Sequence, residues 1–145
     1  IDRKVITGIA DVADKVYDGS TAAELSNLGL VGVVDGDEGK VSGTGTTGAF
    51  SDKNAGTAKS VIGSGIALAG EEAGNYRFDT DAQIGVADID RKVITGIADV
   101  ADKVYDGSTA AELSNLGLVG VVDGDEGKVS GTGTTGAFSD KNAGT

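Results

Sequence analysis

The chain is predicted to be mostly β, built from tandem small β-sandwich-like modules. Three observations predict it. Apolar residues fall in short, often alternating clusters. Turn signals recur roughly every 8–12 residues, the rhythm of a sandwich or small barrel. Glycine supplies 25 of 145 residues, against roughly 7 % in average proteins.

Residues 1–57 recur letter for letter as residues 89–145, a period of 88. Fold constraints alone let surface positions drift, so perfect identity points to recent duplication within a tandem array. Arrays of identical modules set length or multiply weak contacts. The period exceeds the 20–50 residues of solenoid repeats and suits small self-contained beads. Residues 1–88 are expected to form a complete module and residues 89–145 a truncated identical copy. The copy lacks a counterpart of Ala58–Asp88, as an excerpt from a longer protein would.

The elements follow in order. Val5, Thr7 and Ile9 form one face of a first strand. Val12 to Tyr17 reads as a second strand, closed by Asp18-Gly19. Thr21-Ala22-Ala23-Glu24 fits a capping box. A short helix over Thr21–Leu28 would make the module β-grasp-like, the alternative to the sandwich. Leu28 to Val34 is an apolar run ended by Asp35-Gly36. Val41 to Phe50 is a Gly/Thr-rich strand, twisted or bulged by its glycines. Asp52-Lys53-Asn54-Ala55-Gly56 is a turn cluster. Ser60 to Leu68 follows, then a strand in which Tyr76 and Phe78 alternate. Ile84 and Val86 lead into Ile89 of the next copy. The expected core is Val16, Tyr17, Leu30, Val33, Phe50, Ile66, Leu68, Tyr76 and Phe78. The corner Gly70 to Tyr76 places Tyr76 to tuck its ring inward and bond upstream backbone, as a tyrosine corner does.

Composition narrows the function. The net charge is −11, with 23 acids spread along the chain against 12 bases. Such a surface repels nucleic acid and anionic lipid. No run of 18 apolar residues appears, so no membrane insertion is expected. Cys and His are both lacking. That removes disulfides, thiolate metal sites and the commonest general base and zinc ligand. Ser20 and Ser60 therefore have no triad partners. No carboxylate pair stands out for acid–base work, and no enzyme is expected. Gly43 to Gly48 lacks the spacing and the Lys-Ser/Thr end of a phosphate loop.

The acidic turn Asp35-Gly36-Asp37-Glu38-Gly39 clusters three carboxylates. Asp35, Asp37 and Glu38 are the weak calcium candidates, and calcium is the one cofactor considered. The full calcium-loop pattern is absent, so a solvated acidic turn is the simpler reading. Asp79 and Asp81 take the same reading. Lys53, Lys59 and Asn75 have the residue types of an intramolecular isopeptide crosslink.

Three phrases stand out together: Asp14 to Ala22 (DKVYDGSTA), Phe50 to Thr57 (FSDKNAGT) and Leu68 to Tyr76 (LAGEEAGNY). In that order and spacing they resemble the YDG repeat of large secreted bacterial surface proteins. Those include filamentous-haemagglutinin-like adhesins exported by two-partner secretion, some acting in biofilm matrix. The resemblance covers the whole period. It implies an extracellular or cell-surface location and a structural, adhesive role as stalk or spacer. Neighbouring repeats of the same chain would be its partners. The competing reading is a module that itself binds carbohydrate, as exopolysaccharide, or a host surface. It transfers no catalytic or cofactor-binding residue. The family-motif positions, read as structural, are Lys15, Tyr17, Asp18, Gly19, Phe50, Asp52, Lys53, Asn54, Gly56, Gly74, Asn75 and Tyr76. The second copy retains the first two phrases and lacks the third.

Overall fold

Alternating apolar residues become strands throughout. The computed structural model describes residues 1–144, so the Thr145 end of the second copy lies outside the described residues. It divides into a unit Ile1–Lys92 and a second unit beginning at Val93. The first unit therefore runs four residues past the 1–88 boundary drawn from the repeat. Its strands are β1 (Lys4–Val12), β2 (Lys15–Val16), β3 (Ala22–Val31), β4 (Ser42–Thr44), β5 (Thr47–Phe50), β6 (Gly56–Ile62), β7 (Ala67–Ala69), β8 (Tyr76–Phe78) and β9 (Gln83–Asp90). A single 3-10 turn, Ala73–Asn75, precedes β8. The second unit holds β10 (Thr95–Val100), β11 (Ala110–Val119) and β12 (Thr135–Ala137).

Seven strands of the first unit form one sheet in the order β2-β9-β6-β5-β3-β1-β8. β1 and β2 are one chain path broken at Ala13-Asp14. β1 pairs with β3, whereas β2 pairs in parallel with β9 at the far end of the strand order. The sheet must curl to satisfy both, and β9 packs against β1. Asp14 pins the break by accepting the Asp88 N–H at 2.7 Å. β4 and β7 form a separate ribbon. Gly43 lets that ribbon lie over β3, because a Cβ there would stand 2.7 Å from a Leu28 methyl carbon.

The structure corrects the helix alternative. Ala22–Val31 is strand, and no α-helix occurs among the described residues. Ala23 and Leu25 alternate inward, and the segment pairs with β1 on one side and β5 on the other. Two ladders outweigh a marginal capping box at Thr21. Midway, the register slips between Ile9 and Asp11. The extra residue on β3 lets Asn27 adopt φ 53, and its amide donates to Asp11 Oδ2 at 2.8 Å. Asn tolerates this left-handed conformation better than most residues.

Val5, Thr7 and Ile9 do share one face of β1, and it is the outer one: Val5 and Ile9 are exposed, and Ile6 and Gly8 point inward. The Val41–Phe50 segment breaks into β4 and β5 at Gly45, where φ is +118.

The core has two clusters. One joins Ala23, Leu25, Phe50, Val61, Ile66, Phe78, Ile84, Ala87 and Ile89. The other joins Ile6, Val41 and Tyr76. Fully burying each of the larger aliphatic or Phe side chains stabilises the unit by about 1.5–3 kcal/mol. Phe50, Ile66, Tyr76 and Phe78 are buried as expected, and Tyr17, Leu30, Val33 and Leu68 are partly buried. Val16 is not core: it stands on the solvent side of the short β2. Val86 is exposed as well, because a register shift on β9 turns Ile84, Ala87 and Ile89 inward instead.

The second unit repeats two of the first unit's pairings. β10 meets β11 as β1 meets β3, with the same slip, now between Ile97 and Asp99. β11 meets β12 as β3 meets β5. The counterpart of Lys4–Ile6 is not strand here, since the β8 that holds those residues in the first unit has no counterpart.

Candidate functional site

The Tyr-Asp-Gly phrase builds a closed polar turn. β2 presents Lys15, and Asp18-Gly19 reverses the chain, with Gly19 at φ +80, a conformation costly to any residue bearing a Cβ. Lys15 Nζ donates to Asp18 Oδ1 at 2.9 Å, to the Ser20 carbonyl at 3.0 Å and to Ser20 Oγ at 3.2 Å. The Ser20 N–H and hydroxyl each donate to Asp18 Oδ1 at 2.9 Å. The Lys15 ammonium also lies 5.6 Å from the centroid of the buried Phe50 ring. This is cation–π distance, and it joins the first phrase to the second. The Phe50 N–H reaches the Thr21 carbonyl at 2.8 Å.

Electrostatics follow from those contacts. The Lys15 hydrogen bond, then the Ser20 N–H and hydroxyl, lower the Asp18 carboxyl to about 2. The second copy reproduces the turn without the missing segment. Lys103 donates to Asp106 at 3.0 Å, Gly107 has φ +80, and Lys103 lies 5.6 Å from the Phe138 centroid. Asp106 is likewise lowered to about 2, by Lys103 first and then Ser108. The turn is thus set by its own few residues.

Tyr17 supplies a further link. Its N–H donates to the Asp90 carbonyl at 2.8 Å. Lys15 pairs with Ile89 and Val16 with Asp90. The motif therefore grips the first two residues of the next repeat.

Asp52-Lys53-Asn54 forms the β5–β6 turn. The Asn54 N–H donates to Asp52 Oδ1 at 2.8 Å, and Lys59 from β6 pairs with the same oxygen. Lys59 first, then the Asn54 N–H, holds the Asp52 carboxyl below its ordinary value. Gly56 opens β6 opposite Ile89.

The third phrase lies in the other cluster. Tyr76 is 3 % exposed. Its hydroxyl accepts the Val34 N–H at 3.0 Å and donates to Asp37 Oδ2 at 2.6 Å. The Asp37 hydrogen bond, then burial, raises the Tyr76 phenol. The tyrosine-corner expectation is met in outline, with one addition: the ring ties β8 to the acidic turn. Asn75 donates to Glu72 at 2.6 Å. Gly74 has open space where a Cβ would stand.

The acidic residues thus act as turn braces. Asp37 holds Tyr76, Glu38 accepts the Gly36 N–H at 3.2 Å, and Asp79 accepts the Asp81 N–H at 2.9 Å. Among the described residues no group of three or more acids is placed to hold a metal ion. The crosslink residues are in different networks, Lys59 on Asp52 and Asn75 on Glu72. A groove of about 600 Å³ opens between β1 and β9, lined by Ile9, Val12, Val31, Ile84 and Val86 with Asp11 and Gln83 as its polar side chains.

Sequence reasoning missed Ser20 as the second brace of Asp18, and Asp37 as the Tyr76 partner. The first was legible, because Ser two residues after Asp is a common turn pattern. The second was not, since the two residues are 39 apart.

The YDG domain family model matches residues 2–84 and again residues 90–145. No curated protein and no solved structure matches the chain. The first family match stops within β9, and the second resumes at Asp90, the last residue of that strand. With nearly its whole length matched in two tandem stretches, each carrying the braced Asp-Gly turn, the chain belongs to the YDG domain family.

Proposed function

We propose that this chain is a structural, adhesive tandem repeat of a large secreted bacterial surface or biofilm-matrix adhesin, acting as stalk or spacer. The observation that carries the reading is the letter-perfect recurrence of residues 1–57 as 89–145, in a unit whose motif residues are spent on folding. Lys15, Asp18, Ser20, Asp52, Lys59 and Tyr76 all brace turns or strands. Catalysis has no part in this reading, and the working location is outside the cell.

Connectivity adds support. β9 ends at Asp90, and the counterpart of the first β1 residue, Lys4, is Lys92. In an uninterrupted array one residue, Arg91, would separate the last strand of one module from the first strand of the next. Linkers that short transmit load and set length.

The alternative is a binding module in each repeat, taking exopolysaccharide or a host surface. Sugar sites use exposed aromatic faces. In the first unit Phe50, Tyr76 and Phe78 are buried, Tyr17 is partly buried, and the β1–β9 groove has no aromatic lining. Proteins of increasing repeat number separate the two readings. The stalk reading expects the longest dimension in small-angle scattering to grow by a constant increment per repeat, with no glycan retained on an array. Specific glycan retention that rises with repeat number would overturn it in favour of the binding module.

A further inference from the structure

Both ends of the first unit are held by parallel strand pairs. Lys4–Ile6, which opens β1, pairs with Tyr76–Phe78 of β8. Ile89–Asp90, which closes β9, pairs with Lys15–Val16 of β2. Elsewhere in the seven-stranded sheet the pairings are antiparallel. They lead from β1 through β3, β5 and β6 to β9, so β9 runs in the same sense as β1. The two paths also stay in step. A Cβ on Gly85 would stand 2.8 Å from the Ala10 carbonyl oxygen, the Asp88 N–H reaches Asp14, and Asp90 meets Val16. The chain therefore enters at the Lys4 end of this parallel pair and leaves at its Asp90 end. From Lys4 to Val16 the path is at most roughly 40 Å, at about 3.3 Å per residue.

Tension drawn through the chain acts along β1 and β9 in opposite directions. Ladder hydrogen bonds lie across the strands, so this pull loads the bonds of a patch together. A pull that separates adjacent strand ends breaks them one at a time. Side chains brace the Asp90 end further. The Tyr17 N–H donates to the Asp90 carbonyl at 2.8 Å. Asp88 is held from two sides: its N–H donates to Asp14 Oδ1 at 2.7 Å, and its own Oδ1 accepts the Ala58 N–H at 2.8 Å. A loose β2 would slide with β9. Lys15 fixes it, with its ammonium bound to Asp18 and Ser20 and placed over the Phe50 ring. Force on Asp90 thus passes through β2 into the turn, and from Lys15 into the core at β5.

We propose that the Tyr-Asp-Gly motif is a force-bearing latch: the β2–β9 patch, locked by Lys15 on Asp18, Ser20 and Phe50, resists end-to-end tension by shear. The inference rests on the stalk reading for the source of the tension. The geometry itself belongs to the single unit Ile1–Lys92.

The test pulls the same unit in two directions. The chain has no Cys, so handles can be placed on the full 145-residue protein by substitution. Asp2→Cys with Arg91→Cys pulls end to end. Ala55→Cys with Arg91→Cys peels β9 from β6, because Ala55 adjoins Gly56, the partner of Ile89. All three positions are exposed. At equal force the end-to-end pull should unfold the unit at least about tenfold more slowly than the peeling pull. Lys15→Met should speed end-to-end unfolding at least about fivefold more than it speeds unfolding in urea without load. Equal rates in the two directions, or a Lys15→Met effect no larger under load than in urea, would each overturn the latch. The directional comparison leaves the motif intact, so it decides even where Lys15→Met fails to fold. The scattering series and the glycan array decide the stalk reading separately, and neither result depends on the pulling direction.

Discussion

Ile89 and Ile1 occupy the same position of the repeat, yet Ile89 is 1 % exposed and Ile1 lies fully in solvent. Ile89 sits on β9 opposite Lys15 and Gly56, packed in the cluster of Phe50 and Val61. Ile1 precedes β1 and belongs to no strand. The folding frame is therefore offset from the repeat frame. A module closes on the first two residues of the repeat that follows, and the Tyr-Asp-Gly turn holds them there. Ile89→Ala should destabilise the first unit by about 2–5 kcal/mol through lost burial and a cavity. Ile1→Ala should stay within about 0.5 kcal/mol. Urea melts followed by hydrogen exchange in β6 and β9 check the pair, and equal effects would contradict the offset.

The two phenylalanines give a second matched pair. Phe50→Ala should cost about 3–5 kcal/mol, because the ring is enclosed. Phe138→Ala should cost far less, since its ring is still part-solvated. Exchange rates in the two units, measured in one sample, report both. A Phe138 effect as large as the Phe50 effect would contradict the difference in burial between the two rings.

Acid should weaken the turn. Asp18 falls from its ordinary value near 3.8 to about 2 in the folded chain. A lowered folded value gives stability that is present above pH 4 and lost as the pH falls from about 4 to 2. The side chain is half exposed, so the effect is modest. Asp18→Asn should flatten the acid limb of the melting curve over that window. With no His, melting should be flat from about pH 5 to 8. A midpoint drop near pH 6 would point to a group not accounted for.

At the alkaline end Tyr76 contributes. Its phenol is raised, by the Asp37 hydrogen bond first. A raised folded value gives stability that is complete below the ordinary phenol value of about 10 and lost as the pH climbs through the folded one. Tyr76→Phe should lower the melting temperature at neutral pH, speed exchange of the Val34 amide, and shrink the loss above pH 10. An unchanged Val34 amide would break the link between β8 and the acidic turn.

Much of this was legible in the sequence. The β class, the Asp18-Gly19 and Asp52 turns, and the burial of Phe50, Tyr76 and Phe78 follow from alternation and turn chemistry. What was not legible depends on long-range pairing. The face of β9 is set by the slip at Val61/Ile62, which puts an extra residue on β9 and reverses the parity that simple alternation predicts, and the inward face of β1 is set by its pairing with β3 and β8. Ala22 to Leu28 became strand because β1 and β5 flank it. The role of Ile89 was hidden because a repeat has no intrinsic starting point.

The central claim is that each period folds as an autonomous structural bead in a load-bearing array. Pulling a protein of several complete repeats from its ends tests it most directly. The expected record is a regular sawtooth, one event per repeat, each releasing about 300 Å of chain less the folded span, from 88 residues at roughly 3.3–3.6 Å apiece. A smooth extension without discrete events, or increments unrelated to the period, would contradict the account.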